Sequence, residues 1–144
     1  MKTYLVMLVV IIFSPVLFAE IGLFELELGM SRFVAEEILL EKSFVEEDSD
    51  DYWIEYSCEV FPELEKLVLT YDPETNEITE YYCRIKADKD EVIEEILNVV
   101  ETMHGRFEDY DSTNDVLTWF LEYDTVLEVY RDYEDYLVVE YYSE

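Results

Sequence analysis

Glu80-Tyr81-Tyr82-Cys83 is repeated almost letter for letter as Glu140-Tyr141-Tyr142-Ser143. Upstream of each, in the same order and at nearly the same offset, Val34-Ala35-Glu36-Glu37-Ile38-Leu39 is matched by Val92-Ile93-Glu94-Glu95-Ile96-Leu97. Self-similarity at a fixed period predicts one supersecondary unit built twice. The first tetrapeptide of each pair alternates in the two-residue period of a strand. The hexapeptide spaces its apolar residues as a helix does. Two helix-plus-antiparallel-meander copies follow, at about 23–86 and 87–144.

Working outward, 23–28 alternates apolar and acidic residues and reads as a strand. Ser31 is placed to N-cap a helix over 31–42 with Val34, Ile38 and Leu39 inward. Strands are expected at 43–46 and 52–60, the latter with Ile54, Tyr56 and Cys58 on one face and Trp53, Glu55 and Ser57 on the other. Asp72-Pro73-Glu74-Thr75-Asn76 closes a hairpin between 65–71 and 77–86. In the second copy Asp88 and Glu91 form an acidic capping box. Val92, Ile93, Ile96, Leu97, Val100 and Met103 then make the apolar stripe, and Gly105 ends the helix. Strands follow at 106–110, 116–123, 125–131 and 136–142. The fold class is therefore α+β, with the helices packed on one face of an antiparallel sheet.

Residues 1–19 pair one charge, Lys2, with the apolar run 4–13, the break at Ser14-Pro15 and a small residue at Ala19. That is the pattern of a secretory signal peptide. The alternative, an uncleaved anchor, is short for a bilayer and interrupted by Pro15. Cleavage leaves 20–144 as a single exported domain, periplasmic or secreted, with no membrane segment. The whole chain carries 37 acidic and 9 basic residues, a net charge of -28. Such a charge excludes nucleic acid and anionic lipid as partners, because phosphate binding needs clustered Lys and Arg. It favours basic proteins, or serves solubility alone.

The stretch Leu28-Gly29-Met30-Ser31 leading to Val34 and Leu39, then Trp53 and Tyr56, then Leu67-Val68-Leu69-Thr70-Tyr71, resembles the small helix-then-meander domain of SmpA/OmlA-type outer-membrane lipoproteins. It is also similar to the tandem version of that domain in secreted β-lactamase inhibitor proteins. Val34 sits one residue early relative to the family opening, and the chain lacks the lipidation Cys and the Gly-x-Pro after the helix. The resemblance implies a non-enzymatic binding scaffold.

Catalysis is not expected. His104 is the only histidine, and at a helix C-terminus it suits the helix dipole. With three glycines in the chain and no nucleophile motif, neither a phosphate cradle nor an acyl-transfer site can be assembled. Asp109, Asp111, Thr113 and Asp115 place oxygens at alternate positions as a calcium loop does. Asn114 stands at the pivot glycine and Phe120 at the bidentate Glu, however, so no cofactor other than weakly held calcium is implied. A solvated hairpin tip explains the same residues, and Glu46 to Asp51 would be its counterpart in the first copy.

An exported chain with two cysteines normally pairs them, and both Cys58 and Cys83 point inward by alternation. A simple meander interposes a strand and parts them by about 9.5 Å, beyond disulfide reach. Two buried free thiols are the favoured of the two outcomes. Tyr is abundant, at 13 residues, and alternation sends one of each Tyr-Tyr pair outward. Exposed Tyr beside carboxylates suits protein recognition, although β-propensity alone also accounts for it. The candidate anchors are Trp53, Tyr82, Trp119 and Tyr142, with Asp50, Asp51, Asp111 and Asp115 as rim charges. The expected function is non-enzymatic binding of a basic envelope protein, for instance as inhibitor of a lysozyme-like hydrolase. A calcium-dependent structural or sugar-binding module is the alternative.

Overall fold

The computed structural model describes residues 22–144, so the stretch read as a signal peptide lies outside the described residues. The chain is mixed α+β: helix α1 (Arg32–Glu41), strands β1 (Phe44–Ser49), β2 (Trp53–Cys58), β3 (Leu64–Tyr71) and β4 (Ile78–Ile85), helix α2 (Asp90–His104), then β5 (Asp109–Asp111), β6 (Val116–Phe120), β7 (Thr125–Arg131) and β8 (Leu137–Ser143). All eight strands form one sheet in the order β1-β2-β3-β4-β8-β7-β6-β5. Every pairing is antiparallel. Among the described residues no helix is long and apolar enough to cross a membrane.

The centre of the sheet is where the two like tetrapeptides meet. Tyr81 pairs with Tyr141, flanked by Glu80 with Tyr142 and Tyr82 with Glu140. Each Glu-Tyr-Tyr therefore lies antiparallel to the other about the Tyr81–Tyr141 pair. Strand alternation sends that pair to one face, where the rings stack at 4.7 Å and 13°. One buried cluster on this core face joins Ile54, Tyr56, Leu67, Leu69, Cys83, Trp119, Leu127 and Val139 to Ala35 and Leu39 of α1 and to Ile96, Val99 and Val100 of α2. Burial of apolar area on this scale, at roughly 25 cal/mol per Å², is the main stabilising term.

The hairpins follow from their turn chemistry. Asp72 Oδ1 accepts the Glu74 amide at 2.8 Å, and Asn76 takes the left-handed conformation at φ 59°. In the β7–β8 turn Asp132 Oδ1 accepts the Glu134 and Tyr136 amides, with Asp135 at φ 65°. Ser31 caps α1 by accepting the Phe33 amide at 3.3 Å, and Gly105 ends α2 at φ 81°. Cys58 and Cys83 are both buried and free, with β3 lying between their strands.

Four local expectations are corrected. Residues 23–28 do not form a strand. Leu23–Glu25 is a 3-10 turn, with Phe24 and Glu25 at positive φ. Its consecutive Leu23 and Phe24, and then Leu26, are all buried. The segment coils over the tyrosine pair because that pair offers it hydrogen bonds: the Leu23 amide donates to Tyr141 Oη at 3.3 Å, and Tyr81 Oη donates to the Leu26 carbonyl at 3.1 Å. Val34 is 47% exposed, and Ala35 faces the core instead. Asp88 does not cap α2; Lys89 occupies that position with no side-chain cap bond. Finally, β1 runs on through Ser49, so most of the expected acidic turn is edge strand.

His104 also departs from expectation. Burial lowers its pKa from 6.5 to about 4, and Nε2 lies 3.0 Å from Tyr141 Oη. The imidazole is therefore neutral near pH 7 and gives the helix dipole no charge to hold. The folded pKa lies below the unfolded value, so the unfolded chain binds the extra proton first. This contribution to stability is present above about pH 6.5 and lost as pH falls toward about 4. Urea unfolding at the two ends of that window is expected to show a loss of about 2 kcal/mol in wild type that is missing in His104→Gln. An equal loss in both would show that His104 does not carry it.

Candidate functional site

The face opposite the core carries the alternate residues of the same strands. Across its centre run Trp53 opposite Thr70, Thr70 opposite Glu80, Glu80 opposite Tyr142, and Tyr142 opposite Val126. The next row runs Glu55, Val68, Tyr82, Glu140, Glu128 and Thr118. Val68, Val126 and Val138 are buried on this face, whereas Trp53, Tyr82, Glu128, Tyr130, Glu140 and Tyr142 are half-buried. The result is a sheet surface with a partly apolar floor and carboxylates interleaved with phenols.

Three carboxylates converge at the β4–β8–β7 seam. Tyr130 Oη donates to Glu140 Oε2 at 2.9 Å, Tyr142 Oη donates to Glu128 Oε1 at 3.1 Å, and Glu80 lies along the same groove as Glu128 and Glu140. Burial first, and then the Glu80 contact, push Glu140 up to about 7. Burial and the Glu128 bond push Tyr142 up to about 12, and burial with Glu140 raises Tyr130 further still. These phenols remain protonated donors at neutral pH. A shallow groove of about 420 Å³ opens here, lined by Thr79, Glu80, Glu128, Glu140, Tyr142 and Ser143. Beside it a second, of about 250 Å³, is lined by Lys66, Tyr82, Arg84, Tyr130 and Glu140 among others.

The nearby cations are already engaged. Arg84 binds Glu65 at 2.7 Å, Asp132 at 2.6 Å and also Glu134, and it lies 4.0 Å over the Tyr136 ring. Lys66 sits 3.7 Å from Glu55. Among the described residues no cation is given over to the seam carboxylates, an arrangement that can hold an ammonium or guanidinium from outside.

Of the expected anchors, Trp53, Tyr82 and Tyr142 share this face. Trp119 does not: it is 1% exposed, lies edge-on to Phe107 at 6.0 Å and donates Nε1–H to the Gly105 carbonyl at 2.9 Å. It occupies the strand corresponding to that of Trp53 but has the opposite parity, because it pairs with core-facing Leu127. The rim charges fall at opposite edges of the sheet, Asp50 and Asp51 beside β1–β2 and Asp111 and Asp115 beside β5–β6. Asp50 Oδ1 is occupied by the Tyr52 and Trp53 amides at 2.7 and 2.9 Å.

The loop considered for calcium spends its oxygens internally. Asp111 accepts the Thr113 amide and the Asn114 side chain at 2.8 and 2.7 Å, and Asp115 accepts Tyr110 Oη at 2.8 Å. Asp109 pairs with Thr118 in the β5–β6 ladder. Among the described residues no group of three or more His, Cys, Asp or Glu side chains is arranged around a metal position. Glu80, Glu128, Tyr130 and Glu140 were not singled out from sequence. Only the pairing of the two Glu-Tyr-Tyr segments with each other brings Glu80 to Glu140. No family model matches the chain, and no curated protein or solved structure matches it at a significant level.

Proposed function

We propose that this chain is an exported, acidic, non-enzymatic binding protein that docks a basic envelope protein on the open face of its sheet. The observation that carries this is the half-buried patch of Trp53, Tyr82, Glu128, Glu140 and Tyr142, in two adjacent cross-strand rows on the face opposite the core. Aromatic rings supply contact area and cation–π surface, and the carboxylates supply the sign. A net charge of -28 steers cationic partners to it. A lysozyme-like hydrolase fits that chemistry.

The scaffold belongs to the same proposal. The element order helix then four strands occurs twice, and the sheet order places the last strand of each set at the centre. That supports two helix-plus-meander copies with both helices on the core face. It also accords with the resemblance to the tandem inhibitor scaffold. The segment 1–19 acts as the export signal, and the mature domain works in the periplasm or outside the cell.

The test is calorimetric titration of residues 20–144 with lysozyme and with deca-arginine as basic probes. Binding is expected to weaken by at least about tenfold between low and physiological ionic strength. Trp53→Ala/Tyr142→Ala is expected to reduce it further at constant net charge. Absence of binding by both probes at low salt would overturn the proposal.

A further inference from the structure

We infer that the groove between the 22–29 segment and the β6–β7 turn is an anchor site for one lysine side chain of the docked basic protein. This rests on the docking function proposed above and adds the residue type that the partner must present.

The groove, of about 320 Å³, lies on the core face at the end of the strands, beside the stacked Tyr81 and Tyr141. Leu26, Leu28, Ile78 and the two tyrosines give it an apolar floor. The 22–29 wall is held in place. The Gly29 amide donates to the Ile78 carbonyl at 2.8 Å, and Tyr81 Oη donates to that of Leu26 at 3.1 Å. A groove fixed in this way admits a side chain without the cost of ordering its own walls. Glu27 and Glu122 stand exposed, one on each wall. Neither is ion-paired with a described residue.

The other wall carries an independent sign of a ligand. The Leu121 amide donates to the Thr125 carbonyl at 2.8 Å and closes a two-residue turn, with Tyr123 and Asp124 both at φ 56°. Asn and Gly take this left-handed conformation cheaply; a bulky side chain does not. Tyr123 gains no burial in exchange, being 80% exposed, and it lines the groove. An aromatic ring held at that mouth is placed to flank a cation.

A lysine side chain fits these features together. Its methylene stem covers apolar floor while its ammonium stays at the wet rim. A point charge with three rotatable donors can lie between carboxylates on separate walls, whereas the planar guanidinium fork suits a single carboxylate. The site is also continuous with the docking face, because Thr79 and Ser143 line both this groove and the one at Glu80, Glu128 and Glu140. A partner chain crossing the strand ends there can seat one basic side chain in each.

Calorimetric titration at low salt with deca-lysine and with deca-arginine tests this. Glu27→Gln/Glu122→Gln is expected to weaken deca-lysine binding about tenfold more than Glu59→Gln/Glu94→Gln, which removes the same charge from exposed positions elsewhere. The two double variants should weaken deca-arginine alike. Tyr123→Asn should weaken deca-lysine about threefold. Its urea midpoint should stay at or above that of wild type, since Asn tolerates the left-handed turn. In wild type, deca-lysine should shift the methyl resonances of Leu28, Ile78 and Thr125.

Groove variants that bind deca-lysine no worse than the control double would overturn the anchor site and leave the docking face standing. So would methyls that stay unmoved, as they must if a second copy or the chain ahead of Gly22 fills the groove. An equal extra loss for deca-arginine would overturn the assignment to lysine. Failure of wild type to bind either peptide at low salt would overturn the docking function and the anchor together.

Discussion

Trp119→Ala is expected to destabilise the domain by about 4 kcal/mol, whereas Trp53→Ala costs less than about 1 kcal/mol yet weakens docking of deca-arginine several-fold. The two tryptophans sit in the second strand after each helix, but the register separates their roles. Trp119 is closed off at 1% exposure, with Leu127 as its cross-strand neighbour and Phe107 against its edge. Truncation there removes the buried ring, leaves a cavity and strips the Gly105 carbonyl of its Nε1–H donor. Trp53 is half-buried on the open face opposite Thr70, and water fills the space its ring leaves. Urea unfolding of both variants, with deca-arginine titration of the folded one, checks the contrast. Equal stability losses would mean that the assigned parity is wrong.

Gly22→Ala is expected to cost about 3 kcal/mol. A Cβ there would stand 1.8 Å from Tyr81 Oη and 2.8 Å from Tyr141 Cε1. Neither ring can retreat. Tyr81 is 1% and Tyr141 2% exposed, they stack on each other, and their hydroxyls hold Leu26 and Leu23. Relief comes only by lifting the Leu23–Glu25 turn, which exposes Leu23 and Phe24. Gly29→Ala serves as the comparison. It has open space around it but φ of +83°, so about 1 kcal/mol of backbone strain is its whole cost. Denaturant midpoints for the two variants decide the matter; a Gly22→Ala midpoint above that of Gly29→Ala would show that the tyrosine pair yields.

Much of the local architecture was legible because its causes are local. Ser31, Gly105, Asp72 and Asp132 act on backbone groups within a few residues, so their roles can be read from spacing. Tyr82 and Tyr142 point outward because both lie in the regularly paired part of their strands, beyond the bulge near Thr79, where alternation holds. The misses share a cause as well. Residues 23–28 alternate like a strand, but no strand pairs with them; they close on local backbone bonds and on Tyr81 and Tyr141, far along the chain. His104 lies where a charged imidazole would suit the helix dipole, but the desolvation that keeps it neutral is imposed by the core. Alternation within 116–123 defines two faces without naming which is inward. Trp119 was placed outward for want of the pairing with Leu127 that decides it.

The sequence by itself determined the acidic composition and most of the element types, since charge, capping and two-residue alternation are properties of neighbours in the chain. It also carried the Glu-Tyr-Tyr motif twice. Only the tertiary structure decided that the two motifs pair with each other at the centre of one sheet. Strand order depends on contacts between residues some sixty apart, whose burial no local pattern encodes. That pairing is what sets Glu80 against Glu140. It gathers Glu80, Glu128 and Glu140, from three different strands, along one groove.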